Sequence, residues 1–157
     1  MDWFLALLAF TTIVRGVGAG IIYDVAVVSL SVRHDIGAVP YARYARALFA
    51  GRGATTFAPL AIGGALLSIA VAVGAFLWTE SSGVRWWTCI ALAATVLAFA
   101  GTTQALPAVM KLRHTADEET ALAPVLDRFA RWHTISTVWQ VVSFIALVVA
   151  LADYPTT

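Results

Sequence analysis

Charged residues are scarce in this sequence: they make up 12% of 157 residues, about half of the roughly 25% typical of soluble domains. Such a composition excludes a disordered chain and a charge-driven nucleic-acid-binding protein, and the formal net charge of +1 does not favour an acidic partner. Cysteine occurs once, at Cys89, so an internal disulfide is excluded. Hydrophobic residues are abundant instead, at 61%, and the mean hydropathy is +0.84. These values indicate an integral membrane protein.

Four apolar stretches reach the roughly 20 residues that a helix needs to cross about 30 Å of hydrocarbon. They lie at about 3–31, 54–78, 86–108 and 132–152. The first lacks a basic start and is too long for a signal peptide. None shows the period-two alternation of strands, so helices are favoured. The sequence predicts one all-α integral membrane domain over residues 1–157, a bundle of four transmembrane helices.

The distribution of basic residues predicts the orientation of this bundle. Two loops, after the first and the third helix, hold most of the basic residues: Arg33, Arg43, Arg46 and Arg52, then Lys111, Arg113, Arg128 and Arg131. The termini and the second loop contain only Arg85. The positive-inside rule therefore places both termini outside, and the plasma membrane is the expected location.

The two basic loops also resemble each other. Arg33-His34 matches Arg113-His114, and Arg43-Tyr-Ala-Arg46 matches Arg128-Phe-Ala-Arg131. Such a match predicts two parallel helix-loop-helix repeats related by an axis along the membrane normal, although basic loops can also converge under the positive-inside rule. A twofold axis would pair Asp24 with Gln104 and His34 with His114.

The first helix contains two ionisable residues at membrane depth, where such residues face a bundle interior or a polar cavity. Asp24 continues the i, i+4 stripe of Gly16 and Gly20, which predicts contact with a neighbouring helix through a small-residue seam. Arg15 precedes Asp24 by nine residues, half a turn out of phase, so the two cannot pair. The arginine can snorkel to the outer face, meet carbonyls or bind an anionic group.

Polar residues follow one face of the fourth helix at spacings of three and four: His133, Ser136, Thr137, Gln140 and Ser143. Such a line can bind helices together or line a pocket. His133 opens the line and is the histidine best suited to acid–base chemistry. His34 and His114 lie near helix ends, without the spacing of a helical metal motif, so they are only weak candidates for metal ligation.

Three short stretches resemble the anthrone oxygenase-like membrane proteins, a family of small four-helix proteins. They are the glycine-rich run at 16–23, the run from Phe49 to Pro59, and Arg131-Trp132 with a polar residue at Ser136. This chain has serine where the family often has His or Asn, but His133 lies beside Trp132. The resemblance implies oxidation of anthrones to anthraquinones, without a metal or flavin.

Two classes of function follow. The first is a membrane oxygenase that acts on a flat, phenolic or quinol-like substrate. His133 or Asp24 would act as base, and the substrate would be held by Tyr23, Gln104, Gln140, Trp132 and Arg15. No cofactor is expected, with haem or a metal as the alternative. The second class is a non-enzymatic binding or accessory protein, with a small transporter as a further alternative. Expected partners are the bilayer, a hydrophobic small molecule and a second copy of the chain, but no nucleic acid.

Overall fold

The computed structural model describes residues 2–50 and 52–155, and the regular structure in these ranges is helical. The elements are α1 (Trp3–Asp24), a π-helical segment (Val25–Ser29), α2 (Leu30–Ile36), α3 (Ala38–Ala50), α4 (Arg52–Trp78), α5 (Ser82–Leu112) and α6 (Glu119–Ala152). Four continuous helical stretches are long and apolar enough to cross a membrane: Trp3–Ile36, Thr55–Trp78, Ser82–Leu112 and Glu119–Ala152. The prediction of a four-helix membrane bundle is confirmed.

The helices extend beyond the predicted apolar spans, mainly at the end of the bundle that carries the basic loops. α5 continues to Leu112 and α6 already begins at Glu119, so most of the predicted third loop is helical. The added turns of α6 are amphipathic, and Leu122, Leu126 and Phe129 are buried against α3. Hydropathy detects only the part of α6 that crosses the lipid. The added turns lie outside the lipid and are stabilised by packing against α3, which a hydropathy pattern does not show.

The first basic loop folds into α3, which lies across the end of the bundle. Gly37 connects it to α2 with a φ of +88°, a conformation that glycine adopts at little cost. The buried face of α3 includes Tyr41, Ala42 and Ala45, which join α5 and α6 in one apolar cluster. Gly51, part of the family-like run at 49–59, lies outside the described residues.

α5 and α6 form the tightest pair in the bundle. Small buried residues recur on α5 at alternating spacings of three and four: Ala91, Ala94, Ala98, Gly101, Ala105 and Ala108. They let α6 approach so closely that a Cβ on Gly101 would lie 3.1 Å from the Cβ of Ser136. Such small-residue seams are the usual way that helices pack in lipid, where no hydrophobic effect drives them together.

Ion pairs close the α3 end of the bundle. Asp117, in the short loop between α5 and α6, accepts from Arg43 at 3.0 Å and from Arg46. Arg46 also donates to the backbone carbonyls of Leu112 and Thr115, which are left unpaired where α5 ends. Hydrogen bonds from Arg46 and Arg43 hold the pKa of Asp117 below its usual value. Asp117 therefore fixes α3 to the loop between α5 and α6.

The two halves of the chain differ in local structure. In the first half the connection is broken by Gly37 and a separate helix, whereas α6 runs without interruption from the loop into the membrane. α5 and α6 contact each other much more extensively than α1 and α4 do. The internal repeat therefore stays a prediction from sequence.

Candidate functional site: an interior cavity

The space between α1, α4, α5 and α6 forms a cavity of about 310 Å³, within the roughly 300–1,000 Å³ typical of small-molecule sites. Most of its wall is apolar, and small residues on three helices leave the room: Gly18, Ala61, Gly64 and Ala105. Three phenylalanines contribute flat surface towards the α3 end: Phe49, Phe57 and Phe129. The cavity therefore fits a hydrophobic, ring-containing molecule.

Arg15 places a cation in this cavity. The residue is only 5% exposed, and its Nε and Nη2 atoms have no hydrogen-bond partner among the described residues. Gly64 of α4 makes room for it, since a Cβ there would lie 3.3 Å from the arginine Cδ. The lining contains no Asp or Glu. Snorkelling to the outer face is therefore wrong for Arg15, and the wall offers no anion to balance its charge.

His133 contributes the second unsatisfied group. Its ring stacks on Phe129, with centroids 5.1 Å apart and an interplanar angle of 26°. The imidazole donates to the backbone carbonyl of Ile22 on α1, while Nε2 is buried without a partner in the part of the chain that is described. Because the bonded nitrogen carries the proton, Nε2 is left as a fixed acceptor.

The polar line on α6 serves both of the functions that the sequence allows. Ser143 meets Thr95 at 3.0 Å and Ser136 meets Thr102 at 2.9 Å, so these serines bind α6 to α5. His133 and Gln140, together with Ser136, line the cavity. His133 and Gln140 lie seven residues apart, about 10 Å along α6. Arg15 and Ile22 have the same separation on α1, and Ile22 is the residue that His133 bonds. The cavity thus has Arg15 and Gln140 towards one end and His133 towards the other.

Three predicted site residues lie outside this cavity. Tyr23, Asp24 and Gln104 are exposed and do not line it. The expected contact of Asp24 with a neighbouring helix is wrong, and the reason is helical phase: Arg15 faces the interior, and a residue half a turn away must face outwards. Of the glycine stripe, Gly16 alone packs closely, since a Cβ there would lie 2.8 Å from the Phe144 ring.

The other predicted residues lie at the α3 end of the bundle. Trp132 is half-buried against the α3 cluster, and the guanidinium of Arg131 lies 5.8 Å from its ring centroid. His34 and His114 are exposed. Within residues 2–50 and 52–155, no three side chains of His, Cys, Asp or Glu come together as metal ligands would.

Three lining residues, Phe49, Phe57 and Gly64, are not predicted by the sequence. Phe49 ends up on α3 and Phe57 on α4, and the run at 49–59 that contains them has no pattern that assigns either ring to a cavity. Gly64 has no signal of its own in the sequence, because its role depends on Arg15 lying opposite. Comparison with protein families, curated proteins and solved structures found no match to this chain.

Proposed function

We propose that the protein binds a flat, hydrophobic aromatic molecule in the interior cavity and oxidises it with dioxygen, using no bound cofactor. One observation carries the proposal: the unpartnered Nε and Nη2 atoms of Arg15 and the unpartnered Nε2 of His133 line one cavity whose wall is mostly apolar. A base and a cation in a dry site are what is needed to ionise a weak carbon acid that is conjugated with a carbonyl.

The substrate class follows from this arrangement and from the resemblance to the anthrone oxygenase-like proteins. In an anthrone, the acidic methylene and the carbonyl oxygen lie on opposite sides of the central ring. His133 Nε2 would take a methylene proton at one end of the cavity. Arg15 and Gln140 would stabilise the oxyanion of the resulting enolate at the other end. The phenylalanine rings would hold the flat skeleton between them.

The oxidation then balances with dioxygen as its only co-reactant. The carbanion carbon forms a bond to one oxygen atom of dioxygen, and the other oxygen takes the proton from the His133 imidazolium, giving a hydroperoxide. Loss of the second methylene proton breaks the O–O bond and releases water, which leaves a carbonyl. Carbon is oxidised, dioxygen is reduced, and the histidine returns to its starting state.

Access from the bilayer is consistent with this substrate. Ala58 of α4 and Thr102 and Leu106 of α5 line the cavity although each is exposed. The cavity therefore opens between α4 and α5 on the lipid-facing side, where a hydrophobic molecule would already be concentrated.

The His133→Gln variant tests the role of the base. We expect oxygen uptake with anthrone, in nanodiscs and corrected for the rate in empty nanodiscs, to fall at least about 100-fold, since general-base catalysis contributes roughly 10²–10⁴-fold. His114→Gln, a histidine outside the cavity, is the matched control and should retain wild-type turnover. Wild-type turnover by His133→Gln would refute the proposal.

Binding without turnover is the second candidate function. It is favoured by the use of Ser136 and Ser143 as links to α5, which leaves few polar groups for chemistry. A carrier or accessory protein would bind an anthrone or quinol, measured by quenching of tryptophan fluorescence, but would consume no oxygen. Oxygen uptake that depends on His133 excludes this candidate.

We also propose that both termini lie outside the cell, because the basic residues cluster at the α3 end of the bundle. The test uses a Cys89→Ser background with one new cysteine, at Ser82, the exposed first residue of α5, or at Ala116 between α5 and α6. In intact cells, a membrane-impermeant maleimide should label the cysteine at 82 and not the one at 116. The reverse pattern would invert the topology.

A further inference from the structure

A second concave site lies on the other side of α1, separate from the interior cavity. This groove, of about 340 Å³, is formed by α1, the π-helical segment, α2 and α3. It shares no lining residue with the cavity. Asp24 lies at one edge, the side chains of Val28 and Val32 form an apolar wall, and Ser29, Tyr41 and Tyr44 supply hydroxyl groups.

The π-helical segment shapes this groove. Asp24 is the last residue of α1, and Ser29 ends the segment, where the Leu30 N–H donates to the Val25 carbonyl. This wider turn inserts an extra residue into the helix and changes the direction of the side chains that follow, a feature often found at functional sites. Asp24 lies 21 residues after Trp3, about 31 Å along the helix axis, so the groove is at the edge of the hydrocarbon core.

The polar groups of the groove keep hydrogen-bonding capacity for a ligand. Tyr41 is 1% exposed, and its hydroxyl lies beside that of Ser29, but neither oxygen forms a hydrogen bond of normal geometry with a described residue. Burial raises the pKa of Tyr41, so the phenol stays neutral. Asp24 is exposed and forms no ion pair with any residue that the structure describes. Arg33 interacts electrostatically with Tyr41, but it already forms an ion pair with Asp127, with 2.6 Å between Nη2 and Oδ1.

The rings add a further preference. Tyr41 and Tyr44 have centroids 6.0 Å apart and are tilted by 51°, and Tyr44 is 49% exposed. A carboxylate beside tyrosine rings attracts an ammonium group by charge and by cation–π interaction. The Asp24 carboxylate and the hydroxyl oxygens of Ser29 and Tyr41 are three acceptor groups, which matches the three N–H donors of a primary ammonium.

We infer that this groove binds the primary ammonium group of an amphiphile whose apolar chain lies along Val28 and Val32. The same chemistry is found in an ethanolamine lipid headgroup and in a free alkylamine. The inference does not depend on the interior cavity or on the proposed oxidation.

The experiment compares lipids retained by the purified chain. Nanodiscs are prepared with equal amounts of phosphatidylethanolamine and phosphatidylcholine, which differ by three methyl groups on the nitrogen. After extraction into detergent, bound lipids are quantified by native mass spectrometry. We expect about tenfold enrichment of the ethanolamine lipid, as one charge-assisted hydrogen bond would give. Dodecylamine, added in a parallel arm, should displace it. Displacement by dodecylamine without lipid enrichment would identify a free amine as the ligand.

Two variants and one control locate the effect. Asp24→Asn should remove the enrichment, and Tyr41→Phe should reduce it several-fold while keeping the ring. Asp35→Asn, an exposed acid on α2 outside the groove, should leave it unchanged, and circular dichroism checks that each variant is helical. The inference is overturned if neither amine is preferred, or if Asp24→Asn and Tyr41→Phe both behave like wild type.

Discussion

Replacing Arg15 with methionine should stabilise the empty protein and at the same time remove its activity. A charged side chain at the centre of a membrane helix costs about 2.5–3.5 kcal/mol on insertion scales, and the guanidinium here lacks an acidic partner in the described wall. Methionine has a similar length without the charge. We therefore expect a gain of about 1–3 kcal/mol in the free energy of unfolding, because the charge is no longer buried unpaired.

The same substitution should weaken binding and catalysis. A hydrogen bond to a charged group contributes about 1.5–3 kcal/mol, so affinity for an anionic aromatic ligand should fall about 10- to 100-fold. Loss of oxyanion stabilisation should lower turnover about 10²–10³-fold. Unfolding in SDS, fluorescence quenching and oxygen uptake measure the three quantities. Arg128→Met, an exposed arginine of α6, is the matched control.

Opposite signs for stability and function distinguish a ligand-binding arginine from a structural one. A structural arginine, held by contacts within the bundle, would lower stability when replaced. A less stable Arg15→Met variant with unchanged ligand affinity would contradict the role proposed for Arg15. The proposal for the groove beside Asp24 would be unaffected by that result.

Gly101→Leu should have the largest effect on the fold. A Cβ at this position would lie 3.1–3.2 Å from the Cβ, Cα and N atoms of Ser136, so the larger side chain must push α5 and α6 apart. Overpacking costs about 1–3 kcal/mol, and separation of the helices also breaks the Ser136–Thr102 hydrogen bond, worth roughly 0.6 kcal/mol. We expect a loss of about 2–4 kcal/mol in the SDS unfolding titration.

Ala100→Leu provides the control one residue away. Ala100 is exposed and faces away from the seam, so a leucine there adds apolar surface towards lipid and should change stability by less than about 0.5 kcal/mol. Equal behaviour of the two variants would show that α5 and α6 do not approach closely at Gly101.

Much of the bundle could be predicted because each lipid-crossing helix is specified by its own composition. The first apolar run begins at Trp3, where α1 begins, and the second apolar run ends at Trp78, where α4 ends. The first turns of α6, over residues 119–131, could not be predicted from their own composition. Their apolar face is stabilised by α3, which is remote in sequence.

The site was predicted in part, and helical phase explains the division. Arg15, His133 and Gln140 were predicted and share the cavity. Asp24 was placed with a neighbouring helix by its glycine stripe, although its phase relative to Arg15 allows only one of the two to face inwards. The sequence shows that the two residues are opposed, but not which of them is inside.

The membrane class of the chain, the number of helices and the polar line of α6 are properties of the sequence by itself, because each depends on local composition or on the helical repeat. Tertiary structure decided which polar side chains have hydrogen-bond partners. Packing of α5 on α6 gives Ser136 and Ser143 hydrogen-bond partners on α5. By contrast, Nε and Nη2 of Arg15 and Nε2 of His133 are left without partners among the described residues, around a mostly apolar space. Partners come from other helices, so their presence or absence depends on how the four helices pack.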